Sequence, residues 1–264
     1  MNILKNKKYK SIVYTFLGIL LCFLLWESIA FLTKESFIPE FFKTFINLFA
    51  LLGEKKTLLS LGYTLLRLVI SFFISAVLGT VLGILSGYYS PLGKILAPLM
   101  TILKSVPTIA LAMLLVIYVP NFSLYVTSIV LFPLIYQASY DGSEKTYSIY
   151  EYELILKGRR HLSNITRVIL PLSMDYILLG FFQAFSLGMK VEVMAETFGY
   201  KSDFYGLGKA LSQSFSDVDY LKMMSYVLLI IIVSLLLDFL LLTCKKAILK
   251  KLGLDKEKKS IFSF

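Results

Sequence analysis

The sequence predicts an all-α integral membrane protein with about six transmembrane helices. Three observations carry this reading. First, apolar residues make up 57% of the 264 and the mean hydropathy is +0.76. They fall in blocks close to the roughly 20 residues a helix needs to cross a bilayer. Second, the blocks lack strand alternation, and only helices and closed barrels satisfy every backbone group in lipid. Third, Lys and Arg flank the blocks. The net charge of +10 therefore reads as the positive-inside pattern of membrane proteins and not as a nucleic-acid surface. The remaining polar sequence is too short for a separate soluble domain. Residues 12–243 read as a single transmembrane domain between a basic N-terminus (1–11) and a basic tail (244–264). Cys22 lies inside an apolar block and Cys244 just beyond another, which argues against a disulfide framework.

The first span covers residues 12–32. Lys5, Lys7, Lys8 and Lys10 precede it as in a signal peptide, but the apolar run is longer than a signal core, so it is expected to stay as an anchor. An interfacial or outer segment follows, with Glu35, Pro39, Glu40, Lys43, Lys55 and Lys56. The second span covers 63–88 and ends in a turn at Gly87-Tyr88-Tyr89-Ser90-Pro91. The third covers 95–119 and is interrupted at Lys104-Ser105-Val106-Pro107. Pro107 removes a helix hydrogen bond, so a kink or break is expected there. Pro120-Asn121 turns the chain into a fourth span at 124–138.

A polar, basic stretch at 140–171 then separates two apolar blocks. Residues 151–157 read as a short helix, Gly158 as its break, and 163–170 as a second helix. Pro171 suits the first turn of the next span, where its missing N–H costs nothing. Such a helix-turn-helix between spans fits the docking of a soluble partner. The fifth span covers 172–193. A polar segment at 195–219 carries Gly199, Gly206 and Gly208, and the sixth span covers 223–242. Six spans place both termini on one side. Most Lys and Arg fall on that side when it is the cytoplasm, and the 140–171 stretch falls there too.

Two sets of residues stand out within the spans. Ser71, Ser75, Gly79, Gly83 and Gly87 recur every four positions. They form one small-residue helix face that lets a neighbouring backbone approach closely. Packing within the chain and a moving or dimeric contact both fit such a face. Arg67, Lys104, Lys190, Glu192, Glu196 and Asp238 are ionisable and lie in or at the edge of apolar blocks. Intramembrane charges face a bundle interior or a water-filled path, although long side chains also reach an interface. Lys190 sits deepest, placed to pair with Glu192 or to meet an anionic solute. Enzyme signatures are missing: the one histidine, His161, stands beside Arg159-Arg160, no metal-ligand spacing is present, and no Gly-Lys-Ser/Thr follows a glycine-rich turn. Nucleotide-driven work would need another subunit.

These residues resemble a family. Gly158, then nine residues to Val168-Ile169-Leu170-Pro171, resembles the cytoplasmic loop of binding-protein-dependent ABC transporter permeases. Tyr152-Glu153-Leu154 stands where that family carries Glu-Ala-Ala. Thr64-Leu65-Leu66-Arg67-Leu68-Val69 with the glycine face, Leu103 to Pro107, Lys190-Val191, Ala195-Glu196, Gly206-Leu207-Gly208 and Leu235 to Asp238 resemble the nitrate/sulfonate/taurine branch. The match covers a core of about 60–243 and runs on to Lys251.

The resemblance implies an importer permease of the type I bundle. Two permease chains, expected as a homodimer, form a solute path in the lipid bilayer. Cytoplasmic ATPases dock on the 140–171 coupling loop through Tyr152, Glu153, Leu154, Gly158, Val168, Leu170 and Pro171. ATP-Mg is held by those partners, with no cofactor on this chain, and an extracytoplasmic binding protein delivers the solute. Alternative readings are the transmembrane coupling subunit of a vitamin-type energy-coupling transporter, a membrane-embedded enzyme, or an anchor. A docked ATPase separates the importer and energy-coupling readings from the enzyme and the anchor.

Overall fold

The computed structural model describes residues 2–33, 37–156, 162–199 and 204–251. Among them the chain is helical throughout, with no strand. Five helices are long and apolar enough to cross a membrane, and a bent pair makes a sixth candidate. Contacts divide the chain into two compact units, residues 1–58 with 210–231 and residues 59–209 with 232–264.

In the first unit, α1 (Asn2–Leu32) contains the first span. The outer segment forms a helix, α2 (Phe41–Gly53), too short to cross a bilayer. Its entry is fixed by α1: Glu27 accepts the Phe41 N–H at 3.2 Å and Trp26 Nε1 donates to the Pro39 carbonyl at 3.1 Å. Thr44, Leu48 and Leu51 form its buried face. The start of α11 (Tyr220–Lys251) packs there, with Ser225 donating to the Thr44 carbonyl and accepting from Asn47.

In the second unit, α6 (Phe122–Leu156) is the central element. Along one side runs α3 (Lys55–Tyr88), whose small-residue face lies directly on α6. Ser71 and Ser75 donate to the carbonyls of Leu124 and Ser128 at 2.8 and 2.9 Å, and Ser143 of α6 donates back to the Ile84 carbonyl at 2.8 Å. A Cβ on Gly83 would lie 2.5 Å from the Tyr136 carbonyl oxygen, and one on Gly87 2.7 Å from that of Tyr140. The absence of side chains is what lets the two backbones approach. The face therefore serves packing within the chain.

On another side of α6 lies α9 (Met174–Glu196). Gly180 meets the Ala138 methyl, and a Cβ on Gly142 would come 2.8 Å from that of Tyr176. Leu131, Ile135, Ala76 and Ala184 form a shared core.

The interrupted third span is a broken pair. Helices α4 (Ser90–Ser105) and α5 (Thr108–Tyr118) meet at 89°. Pro107 stands as the residue before α5 and offers no N–H to continue α4. Asn121 then takes a left-handed φ of 54°, a conformation asparagine tolerates better than most residues.

The 140–171 stretch departs from expectation at its start and at Pro171, and keeps the two expected helices. It is not a loop from residue 140, because α6 runs on to Leu156. The expected helix at 151–157 is present over residues 151–156, set off from the rest of α6 by a kink at Tyr150 (φ −108°, ψ 18°). The expected helix at 163–170 is present as an unbroken helical run over residues 162–172, with a wider turn inside it: α7 (Leu162–Asn164), a π-turn (Ile165–Ile169) and α8 (Leu170–Leu172). Pro171 supplies the physical reason, since it has no N–H and its ring crowds the carbonyl four residues back. The wider turn relieves this, with the Leu170 N–H bonding to the Ile165 carbonyl. Pro171 also lies outside the fifth span, which starts at Met174 after a break at Ser173.

Candidate functional site

The polar residues of the second unit gather in two places. The first is the end of α9. Glu196, the last residue of that helix, is fully buried. Arg67 of α3 donates one terminal nitrogen to Glu196 Oε1 at 2.8 Å and to the Tyr205 carbonyl at 2.6 Å. The Thr64 hydroxyl lies 3.0 and 2.8 Å from the two carboxylate oxygens and accepts the Leu207 N–H at 2.9 Å. The Gly208 N–H donates to Glu196 Oε2 at 3.1 Å, in the first turn of α10 (Leu207–Ser216), where a carboxylate is also favoured by the helix dipole.

Gly206 and Gly208 are required by closeness here. A Cβ on Gly206 would sit 2.5 Å from the Glu196 carboxyl carbon, and one on Gly208 would overlap the Val193 carbonyl. The Arg67 guanidinium lies over the rings of Phe204 (4.1 Å) and Tyr63 (5.5 Å), beside a cavity of about 320 Å³. Two sequence motifs read separately, at 64–69 and 195–208, are thus one structural knot. Arg67 and Glu196 do not reach an interface with water; they neutralise each other inside the protein.

Glu192 lies one turn earlier and is also fully buried. Thr127 of α6 donates to its Oε2 at 2.6 Å, and the buried Ser123 hydroxyl also faces the carboxylate. The expected Lys190–Glu192 pair is not made. Positions two apart on a helix face different sides, and Lys190 is exposed where Glu192 is buried.

The second polar place joins three elements. Lys104, in the last turn of α4 at the break, donates Nζ to Gln137 Oε1 of α6 at 2.8 Å. Gln137 Nε2 donates in turn to Asp141 Oδ1 at 2.7 Å. These three and Gln183 of α9 border a cavity of about 240 Å³, walled by Leu134, Ala138, Leu179 and Gly180. Lys104, Asp141, Gln183 and Lys190 are all exposed, although α6 and α9 are of membrane-crossing length and composition. Sequence reading named Lys104 and Lys190 but missed Gln137, Asp141 and Gln183. The spacing of Gln137 and Asp141, four apart beside an apolar run, was the available signal.

In the proposed docking stretch, Tyr152 and Glu153 are exposed. Leu154 is buried against Ile84, Tyr88, Ile165, Ile169 and Ile177. Val168 and Leu170 are half-buried and pack on that core, while Pro171 is exposed. Gly158 lies outside the described residues. Among the described residues no group of three or more His, Cys, Asp or Glu is placed to hold a metal.

Comparison with known proteins gives a family. The family described as "Binding-protein-dependent transport system inner membrane component" has a model that matches residues 79–253. No curated protein matches the chain.

Proposed function

The chain belongs to the family of binding-protein-dependent transport system inner membrane components, and from that premise we propose that its α4–α6–α9 face is the wall of a small-solute import path. The family makes it a multi-pass permease subunit of an ABC transporter, a transport component and not an enzyme. The observation that carries the proposal is the exposed polar face. Gln137, Asp141 and Gln183 lie on helices of membrane-crossing length and composition, and Lys104 ends the first half of the bent pair; polar groups on such helices, where they lie within the bilayer, face water or protein and not acyl chains. A path between two copies of this chain, in the cell membrane, satisfies them. The nitrate/sulfonate/taurine assignment belongs to this proposal as well.

The coupling side is the stretch that ends α6 and leads to α9. A cytoplasmic ATPase carrying ATP-Mg docks there, an extracytoplasmic binding protein supplies the solute, and both termini face the cytoplasm. Positive-inside bias supports that orientation. The test is co-purification from native membranes in mild detergent. The unaltered chain is expected to retain an ATPase, and Gly158→Trp to lose it while still inserting in the membrane. Normal transport by that variant would remove the coupling role.

Arg67 gives no support to anion selection, because Glu196 cancels its charge. Of the cations that sequence reading placed in the spans, Lys104 and Lys190 are the exposed ones suited to that task, and Lys190 stands on the exposed face of α9. Lys190→Met is expected to lower uptake and reorder substrate preference in a reconstituted transporter. Unchanged rates and rank order would remove Lys190 from the path.

A further inference from the structure

We propose that α2 is a membrane-surface helix whose exposed face, made by Phe42, Phe45, Ile46 and Phe49, lies among the upper acyl chains of the bilayer. The chain itself limits where α2 can lie. It joins the end of α1 to the start of α3, two helices of membrane-crossing length. Its 13 residues make about 20 Å of helix, short of the roughly 30 Å of a hydrocarbon core. It therefore stays near the surface that those two helix ends share.

The contacts of the first unit set its depth. Around α2, four contacts reach the first two turns of α11. The Phe37 ring meets that of Tyr220 edge-on at 5.4 Å, and Glu54 lies 3.6 Å from Lys222 Nζ. Ser225 bonds to Asn47 and to the Thr44 carbonyl, and Thr57 bonds to the Tyr226 hydroxyl. The span of α11 opens at Tyr220, so Ser225 is about 8 Å further along the helix axis. Amphipathic helices at the headgroup–acyl boundary settle about 5–10 Å deep, which is the level at which α2 crosses α11.

The side chains of α2 are arranged for that level. Polar Thr44 and Asn47 are turned toward α11, where Ser225 takes up their bonding groups. On the opposite face Phe42, Ile46 and Phe49 are 64, 67 and 60% exposed. Phe45 stands beside them, and the spacing of the four makes one apolar stripe. A helix facing water has the reverse pattern. The charges sit at the two ends: Glu40 pairs with Lys43 at 3.5 Å and Glu54 with Lys222. Those pairs balance, so attraction to anionic lipid is not needed to hold the helix. Trp26, which donates to the Pro39 carbonyl and meets Phe41 edge-on, adds an aromatic of the kind enriched at the membrane boundary. α1 of the same unit also exposes Leu21, Leu24 and Leu25, so lipid is already the neighbour of this unit.

Trp26 is the one tryptophan of the chain, which gives a direct test. The full chain with Trp26→Phe and Phe49→Trp is placed in phosphatidylcholine vesicles, with Trp26→Phe alone as the blank. Lipid brominated near the headgroup end of its acyl chains is expected to quench about twofold more than lipid brominated near the methyl end, as for a ring about 5–10 Å deep. Adding an anionic lipid should leave both values unchanged. No quenching by either lipid, or stronger quenching from the methyl end, overturns the proposal.

Because Trp26→Phe removes the Pro39 contact, the second readout uses the unaltered chain in complex with its ATPase. Phosphatidylcholine with a photoreactive group in the upper part of its acyl chains is expected to mark Phe42, Phe45, Ile46 and Phe49, and to spare Thr44, Leu48 and Leu51. An unmarked stripe, in a complex whose exposed Ile29 and Phe31 on α1 are marked, overturns the proposal and means that protein covers α2. Cross-linking from Phe49→Cys would then tell a second copy of the chain from another subunit.

Discussion

Arg67→Ala is expected to cost about 3–5 kcal/mol of stability, the usual consequence of leaving one partner of a buried ion pair alone. The carboxylate of Glu196 would keep Thr64 and the Gly208 N–H but lose its charge partner, and the Tyr205 carbonyl would lose its donor. The contact of the guanidinium with Phe204 would vanish as well. Arg67→Lys should rescue only part of the loss, because an ammonium cannot copy the planar contact with the ring while bonding to two acceptors. Arg67→Met with Glu196→Met should be more stable than either single variant, since no charge is then stranded. Unfolding in detergent, followed by intrinsic fluorescence against denaturant, checks all five. Single variants as stable as the parent would mean that the pair is not formed in the folded protein.

The second large effect is expected in the α3–α6 seam. Gly83→Leu places a side chain where the Tyr136 carbonyl oxygen and the Ser139 Cβ already stand, 2.5 and 2.7 Å from the new Cβ. Both obstacles are close to or part of the backbone, so no rotamer removes the clash. The helices must part, and the flanking Ser75–Ser128 and Ser143–Ile84 hydrogen bonds are lost with the contact. Overpacking at this level costs about 1–3 kcal/mol, and each lost hydrogen bond about 1 kcal/mol more. Gly62 on the same helix supplies the control, because nothing lies within 4 Å of its virtual Cβ. Gly62→Ala should stabilise by up to about 1 kcal/mol through helix propensity alone. Folded yield and thermal unfolding of the two variants should therefore move in opposite directions. A Gly83→Leu protein that folds like the parent would refute the close approach of these helices.

The legible parts of this fold are those governed by local physics. Hydropathy located the spans, and Pro107 announced the broken third one. The glycine ladder announced a close helix contact but not its partner, which depends on packing. The polar stretch after residue 138 was misread for a definite reason. Hydropathy reports the surroundings of a helix, and α6 stays helical where its surroundings change, with Ser139, Ser143 and Thr146 buried.

The Thr64–Arg67–Glu196–Gly208 knot joins positions up to 144 apart in sequence, so its halves were visible as motifs while their meeting was not. Lys190 and Glu192 were treated as neighbours because they are close in sequence, although a helix turns them away from each other. Gln137 and Gln183 were passed over because an amide carries no charge to draw attention within an apolar run.

The continuity of α6 has a mechanical consequence. From Phe122 to its kink at Tyr150 it is one rod of about 40 Å, with one end at the Asn121 turn and the other entering the stretch that leads to Gly158. A rod of that length is a lever: a tilt of about 5° at one end displaces the other by about 3–4 Å. Because Gln137 and Asp141 sit partway along it, a push at the Tyr150 end, where the proposed coupling stretch begins, would shift their distance from Lys104 and Gln183 in the same stroke. The energy source and the cargo would then be geared to a single moving part, and the travel at the cargo would be a fixed fraction of the travel at the drive.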